Sequence, residues 1–150
     1  MARRTANTAN QQAFIPLMTE LQRAHQQFAL FDAEIHRLSG SGLTAPQAKV
    51  IFCLGNTDGM TCNDITEKTL ITKGTLTGVI DRLEQKGLVK RWGDADDGRR
   101  IIVDLTKAGE RLYQREYPNY IARMQARFNG LSARDLEQGA ALLGRIASQF

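Results

Sequence analysis

The sequence predicts a mainly α-helical protein with one small β-hairpin, and three observations support that fold class. Apolar residues recur at alternating spacings of three and four over residues 14–38, which is typical of one long amphipathic helix. Helix-capping residues open two short segments between residues 61 and 87. Two runs rich in β-branched residues, 88–92 and 101–105, flank a polar stretch that contains glycine and aspartate, and this pattern predicts two strands joined by a turn.

The composition is that of one globular domain. The chain has 150 residues, of which 42% are apolar and 24% charged, which argues against a wholly disordered chain. Its 20 basic residues outnumber its 16 acidic ones, an excess that favours an anionic partner but is too small to identify one. No apolar run approaches a membrane span of about 20 residues, and the N-terminus lacks the apolar core of a signal peptide. Because two cysteines do not make a disulfide framework, we expect a cytoplasmic protein. Because no membrane span is present in the sequence, we expect no membrane partner.

The first helix is predicted to follow a polar tail. Residues 1–12 have no apolar face, so we interpret them as a mobile tail that either serves solubility alone or lets Arg3 and Arg4 contact an anion. The helix tolerates Pro16 in its first turn and ends in the glycine-rich run that begins at Ser39. Its periodicity leaves two interpretations open: the helix packs along its own domain, or it also contacts a second subunit.

Capping residues divide the next segment into three helices. Thr44 and Gln47 open the second helix, and Thr61 with Asp64 forms a further capping box that opens a short third helix. The fourth helix begins at Thr72. Its apolar face is formed by Leu76, Val79, Ile80 and Leu83. Gly87 is predicted to end the helix.

Two more helices follow the hairpin. Thr106 caps the first of them, which runs to Asn129 and contains Pro118, where we expect a kink or a short break. Ser132, with Asp135 three residues on, forms another capping box and opens the last helix.

This order of elements is that of a winged helix-turn-helix. In that layout the second helix of the pair enters the major groove of DNA, and the hairpin, or wing, reaches the neighbouring minor groove. Residues 61–100 carry eight basic and seven acidic residues, so bulk charge does not identify DNA as the partner. The positions of the basic residues favour DNA more than their number does. The polar face of the fourth helix bears basic and hydroxyl side chains, namely Lys73, Thr75, Thr77 and Arg82.

Several stretches resemble the MarR (multiple antibiotic resistance regulator) family. They are the helix entry 42–47, the recognition helix 70–77, its continuation 81–91 into the first wing strand, the Asp-Gly-Arg of 97–99 and the wing exit 104–109. The resemblance implies a homodimeric transcriptional regulator, expected to be a repressor, that binds a pseudopalindromic operator in double-stranded DNA. It divides the chain into the tail, a helical dimerisation region over residues 13–40 and 107–150, and a winged helix-turn-helix DNA-binding region over residues 41–106.

The resemblance also implies which side chains contact DNA. At the start of the recognition helix, the residues expected to meet bases or phosphates are Thr72, Lys73, Thr75 and Thr77, and Gly74 is expected to permit close approach of the backbone. Arg82 and Arg91 are expected to bind phosphates, although Arg82 has the alternative of pairing with an acidic neighbour. At the wing tip Arg99 enters the minor groove and Asp97 orients its guanidinium by a bidentate pair, while Arg100 is a further DNA candidate.

A small-molecule effector is a further expectation from the resemblance. In the family, small aromatic or phenolic ligands often bind between the dimer helices and the winged domain, and the candidate wall is His25, Phe28, Phe31, His36, Tyr113, Tyr117 and Met124. Plain core packing is the alternative for each of them, and surface exposure is a further one for the two histidines. Thiol oxidation is another trigger in the family, for which Cys62 at a helix N-terminus is the candidate, whereas Cys53 fits a small buried filler.

The sequence contains no recognisable catalytic motif, cofactor fingerprint or metal-ligand cluster. We therefore expect no enzyme activity, no cofactor and no metal. The alternatives to an effector-controlled regulator are a winged-helix module that binds another protein without specific DNA binding, and a redox sensor that uses Cys62.

Overall fold

The computed structural model describes residues 8–150, so Arg3, Arg4 and the rest of residues 1–7 lie outside the described residues. A 3₁₀ turn, Ala9–Gln11, lies within the segment predicted as a tail. In chain order the remaining elements are α1 (Ile15–Leu38), α2 (Ala45–Leu54), β1 (Met60–Thr61), α3 (Cys62–Thr69), α4 (Lys73–Gln85), β2 (Val89–Gly93), β3 (Ile101–Leu105), α5 (Lys107–Phe128) and α6 (Ala133–Ala147).

Helix α1 belongs to the first compact unit of the chain, which ends at Ala45. Pro16 lies in its first turn, as predicted. The buried residues of α1 are Asp32, Ile35 and His36, so most of the regularly spaced apolar residues between positions 14 and 38 are not buried within one chain.

The second unit, Pro46–Phe150, contains a three-stranded antiparallel sheet instead of an isolated two-stranded hairpin. Strands β2 and β3 form the predicted hairpin, in which Arg91 lies opposite Val103. Strand β1 pairs with the other edge of β3 and places Met60 opposite the same Val103. A two-residue strand has no alternating pattern in the sequence, and its pairing depends on a partner far along the chain.

Local capping sets the ends of α3 and α4. Thr61 Oγ1 accepts a hydrogen bond from the Asp64 N–H (3.2 Å), and Asp64 Oδ2 accepts one from the Thr61 N–H (3.1 Å), so the predicted capping box is present. Leu70 then ends α3 in the left-handed conformation, at φ 58°, and turns the chain toward α4. Gly87 follows α4 at φ 69°, which agrees with its predicted role as the glycine that ends the helix.

The buried face of α4 determines which side chains face outward. Its buried residues are the predicted apolar positions, Leu76, Val79, Ile80 and Leu83. Fully buried side chains of α2, α3 and the sheet add to the core of this unit, among them Ile51, Leu54, Ile65, Val89 and Val103. Since burial of one such side chain stabilises a fold by roughly 1.5–3 kcal/mol, a rotation of α4 about its axis would be strongly unfavourable.

Helix α5 begins against the wing and continues through Pro118. The Thr106 hydroxyl accepts a hydrogen bond from the Gly109 N–H (3.1 Å) and donates one to the Gly87 carbonyl (2.6 Å). The short break expected at Pro118 does not occur. Pro118 is exposed, so water can hydrate the backbone carbonyl that loses its helical donor there.

The last helix, α6, opens with the predicted capping box of Ser132 and Asp135. None of its residues is buried, and its exposed apolar side chains include Leu136, Leu142 and Leu143. Within residues 8–150, no helix combines the length and hydropathy that a membrane span requires.

Candidate nucleic-acid interface

The outward face of α4 carries the helix residues predicted to meet DNA. Its exposed positions include Thr72, Lys73, Gly74, Thr75, Thr77 and Arg82. The Thr72 hydroxyl donates to Thr75 Oγ1 at 3.2 Å and does not cap a backbone amide. The first turn of α4 therefore presents its N–H groups beside the Lys73 ammonium, an arrangement suited to a phosphate. The Arg82 side chain makes no hydrogen bond or ion pair with another described residue.

Backbone hydrogen bonds shape the wing tip. The Asp94 N–H donates to the Arg100 carbonyl and the Arg100 N–H donates to the Asp97 carbonyl, both at 2.9 Å. Asp97 Oδ1 accepts from the Arg99 backbone N–H at 3.1 Å, and this contact replaces the predicted bidentate pair with the Arg99 guanidinium. The aspartate side chain is short, so its carboxylate reaches the backbone N–H two residues later and closes a turn there. Arg99 and Arg100 are both exposed.

Arg91, an expected phosphate contact, is ion-paired within the second unit. Its guanidinium forms ion pairs with Asp81 (2.6 Å) and Glu84 (2.5 Å), two carboxylates of α4. The pairing with an acidic neighbour that was considered for Arg82 is thus made by Arg91. Sequence spacing could not reveal this contact, because it depends on how β2 lies against α4.

Cys62 lies beside the wing. A groove of about 450 Å³ is lined by Thr61, Cys62, Asn63, Asp64, Arg99, Arg100 and Ile101. Cys62 is exposed at the first residue of α3, whereas Cys53 is half-buried, and burial raises the pKa of the Cys53 thiol. Hydrogen bonds from Thr61 lower the pKa of Asp64, and the charge of Arg100 adds to the effect. Of the two thiols, Cys62 is therefore the accessible one.

Three of the predicted effector residues lie in the second unit. The rings of Tyr113 and Tyr117 stack with their centroids 5.2 Å apart, and Met124 is buried. Phe52 of α2 meets Tyr117 edge-on at 5.2 Å, and the Asn56 amide donates to the Tyr113 hydroxyl at 3.1 Å. Sequence reasoning missed Phe52, because an aromatic residue in a short apolar helix is indistinguishable from ordinary core.

The other four predicted effector residues lie on α1. His25 and Phe28 are exposed and Phe31 is half-buried. His36 is buried, which corrects the alternative of a surface histidine, and its Nε2 lies 3.5 Å from Asp32 Oδ1.

The second unit also has a larger groove, of about 650 Å³, at the start of α5. It is lined by Leu54, Asn56, Thr57, Asp104, Leu105, Glu110, Arg111, Tyr113, Gln114 and Arg115. This volume is within the usual range of small-molecule sites, and both signs of charge line the groove. In the described part of the chain, histidine, cysteine and carboxylate side chains form no group of three or more that could hold a metal ion.

Comparison with known proteins identifies the family. The MarR family model matches residues 43–101, which run from just before α2 to the first residue of β3. A probable transcriptional regulator from Pseudomonas aeruginosa is 30% identical, with 85% of this chain and 94% of that chain covered and a TM-score of 0.72. The Staphylococcus aureus MepR–DNA complex is 28% identical (88% and 97% covered, TM-score 0.73). Bordetella bronchiseptica BpsR, whose DNA binding is regulated by 6-hydroxynicotinic acid, is 26% identical (95% and 98% covered, TM-score 0.76).

Curated relatives match over less of their length. The chain spans 66% of the length of a regulator from Bacillus subtilis, 53% of one from Neisseria gonorrhoeae and 49% of one from Escherichia coli. It therefore covers about half to two thirds of the length of these relatives. The family model nevertheless covers the helix-turn-helix and the first wing strand, and two of the solved structures cover 85% and 88% of this chain. The chain belongs to the MarR family of winged helix-turn-helix transcriptional regulators.

Proposed function

We propose that this chain is a homodimeric, cytoplasmic repressor that binds double-stranded DNA and is released from it by a small aromatic or phenolic ligand. The observation that carries the proposal is the placement of two exposed basic elements, the outer face of α4 and the wing tip, on one compact unit. We assign it no catalytic role and no cofactor.

The two elements have different tasks in this proposal. The start of α4 enters the major groove, where Thr75 and Thr77 meet base edges and Lys73 meets a phosphate. Arg99 enters the minor groove, whose narrow A·T-rich stretches attract guanidinium groups. The remaining contacts are backbone or phosphate contacts made by Thr72, Gly74, Arg82 and Arg100, and Asp97 holds the backbone of Arg99 in its turn.

The dimer is supported by apolar surface that one chain leaves uncovered. Phe14, directly before α1, is 58% exposed, Phe28 on α1 is 47% exposed, and Leu143 on α6 is 53% exposed. Apolar surface of this kind on several helices is typical of an interface between subunits. Two copies related by a two-fold axis would bind a pseudopalindrome whose half-sites lie about one helical turn apart.

The effector part of the proposal is supported by the stacked tyrosines and by the ligand of BpsR. The rings of Tyr113 and Tyr117 stack on each other and form part of the proposed wall. The wall residues expected on α1, namely His25, Phe28, Phe31 and His36, stay a prediction, as does Met124. A ligand releases DNA only if it binds the DNA-free form more tightly than the DNA-bound form. A thiol-based response through Cys62 stays a prediction.

The DNA-binding proposal is tested with Arg99→Ala. Fluorescence anisotropy would compare a duplex taken from the region upstream of the chain's own gene with a scrambled duplex. We expect the native duplex to bind more tightly, with an affinity that falls steeply as salt rises, and we expect Arg99→Ala to weaken binding about tenfold or more. Arg23→Ala is the matched control, because it removes one charge from an arginine on α1 that is 72% exposed.

Equal binding of the two duplexes, with no effect of Arg99→Ala, would contradict the DNA-binding proposal. The winged helix would then serve a protein partner instead, which is the alternative that the sequence left open. An equal loss of affinity for Arg99→Ala and Arg23→Ala would mean that only bulk charge is being measured.

A further inference from the structure

Arg91 joins the first wing strand to the recognition helix. Its Nη2 lies 2.6 Å from Asp81 Oδ1, and its Nη1 lies 2.5 Å from Glu84 Oε2. The two acids are three residues apart on α4 and therefore lie on one face of the helix. One planar guanidinium from β2 thus holds the helix at two points, which a lysine ammonium could not do in the same geometry.

The environment of this cluster favours a lasting ion pair. The Arg91 side chain is 28% exposed, and those of Asp81 and Glu84 are 51% and 42% exposed. Burial lowers the pKa of Arg91, but the hydrogen bond to Asp81 and the charges of both carboxylates outweigh burial and raise it above its ordinary value. The guanidinium therefore stays charged.

The cluster also changes the charge that α4 presents. The helix contains two cations, Lys73 and Arg82, and two anions, Asp81 and Glu84, so by itself it has no net charge. Unpaired carboxylates close to phosphates weaken DNA binding by like-charge repulsion. Arg91 supplies one positive charge to both acids and leaves the combined surface net positive.

We propose that Arg91 is a positioning residue for DNA recognition and that it does not bind phosphate. It holds the C-terminal half of α4 against β2, so the recognition helix and the wing keep one relative orientation, and it shields Asp81 and Glu84 from the DNA. The proposal rests on the DNA-binding function proposed above. Contacts in the major and minor grooves depend on that orientation, because each groove accepts its element in a narrow range of positions.

The test replaces Arg91 by methionine in two backgrounds, the wild-type chain and an Asp81→Asn, Glu84→Gln chain. If Arg91 acts through the two acids, Arg91→Met should weaken specific DNA binding about tenfold in the wild-type background and no more than about twofold in the second. The slope of log affinity against log salt should stay the same. Lys90→Met is the matched control, because it removes a cation from the neighbouring position of β2, where Lys90 Nζ lies 3.9 Å from Asp104.

A direct phosphate contact predicts the opposite results. Arg91→Met would then weaken binding equally in both backgrounds and would reduce the salt slope by about one, and either result would overturn the proposal. Where Arg91→Met fails to fold, Arg91→Lys keeps the charge but loses the second contact, so it should weaken specific binding and leave the salt slope unchanged.

Hydrogen exchange separates failure of this proposal from failure of the DNA-binding function. In the free protein, Arg91→Met should reduce amide protection in the C-terminal half of α4 and in β2, whereas Lys90→Met should not. Unchanged protection in Arg91→Met would overturn the positioning role even if the wild-type chain binds its operator. Lost protection in a chain that does not distinguish DNA sequences would support the contact between β2 and α4 and would refute its role in DNA recognition.

Discussion

Gly109 shows at the scale of one residue how the wing is joined to α5. A Cβ at this position would lie 2.0 Å from the Leu88 carbonyl oxygen, which also accepts the Thr106 N–H at 3.0 Å. Because a backbone oxygen in this position cannot move aside, we expect Gly109→Ala to lower the free energy of unfolding by about 1–3 kcal/mol. Gly78→Ala on α4 is the control, since its Cβ would meet nothing within 4 Å and should stabilise the fold by about 0.5–1 kcal/mol. Urea unfolding measures both, and similar effects of the two substitutions would refute the close approach.

The capping boxes of α3 and α6 give a prediction at the scale of the element. Hydrogen bonds from Thr61 and Ser132 lower the pKa of Asp64 and Asp135 respectively below the ordinary value of 3.8. A carboxylate with a lowered pKa in the folded state stabilises the fold above its unfolded-state pKa, and that stabilisation is lost as the pH falls through the folded-state pKa. The stability advantage of the wild type over an Asp64→Asn, Asp135→Asn chain should therefore shrink between about pH 5 and pH 3 in urea unfolding.

Glu67→Gln is the control for the capping boxes, because it removes an exposed carboxylate of α3 that is not part of a box. Its effect on stability should change less with pH over the same range. An advantage of the wild type over the double variant that stays constant down to pH 3 would contradict the role of the two carboxylates as caps.

Dimerisation is the prediction at the scale of the whole molecule. Leu143 on α6 is 53% exposed within one chain, and we expect Leu143→Glu to raise the dimer dissociation constant at least about 100-fold, because both copies would bury a charge. Sedimentation velocity measures this change, and Gln138→Glu on the same helix is the control. A wild-type chain that sediments as a monomer at micromolar concentration would contradict the proposed dimer. So would a Leu143→Glu chain that stays dimeric.

Helix ends were predictable because their chemistry is local. A capping box needs a hydroxyl and a carboxylate three residues apart, and the boxes opened by Thr61 and Ser132 are both present in the structure. The outward face of α4 was predictable for the same reason, since spacing alone separates Leu76 and Ile80 from the exposed Lys73. These features depend on neighbours within about one turn of helix.

The partners of Arg91 were not predictable, because they depend on which elements meet. Arg91 of β2 binds two carboxylates on α4. Spacing also could not separate a phosphate-binding arginine from one that holds the recognition helix, since both are basic residues in a wing strand.

The sequence by itself determined the order of the helices and of the two hairpin strands, the capped helix ends and the helix face that carries the candidate DNA contacts, since all of these follow from interactions between residues close together in the chain. Only the tertiary structure decided that a third strand, Met60–Thr61, joins the wing, and that Arg91 connects the wing to α4. The physical reason is that ion pairs and strand pairing depend on distances of a few ångströms between segments far apart in the chain. Packing of the core sets those distances, and no local pattern specifies them.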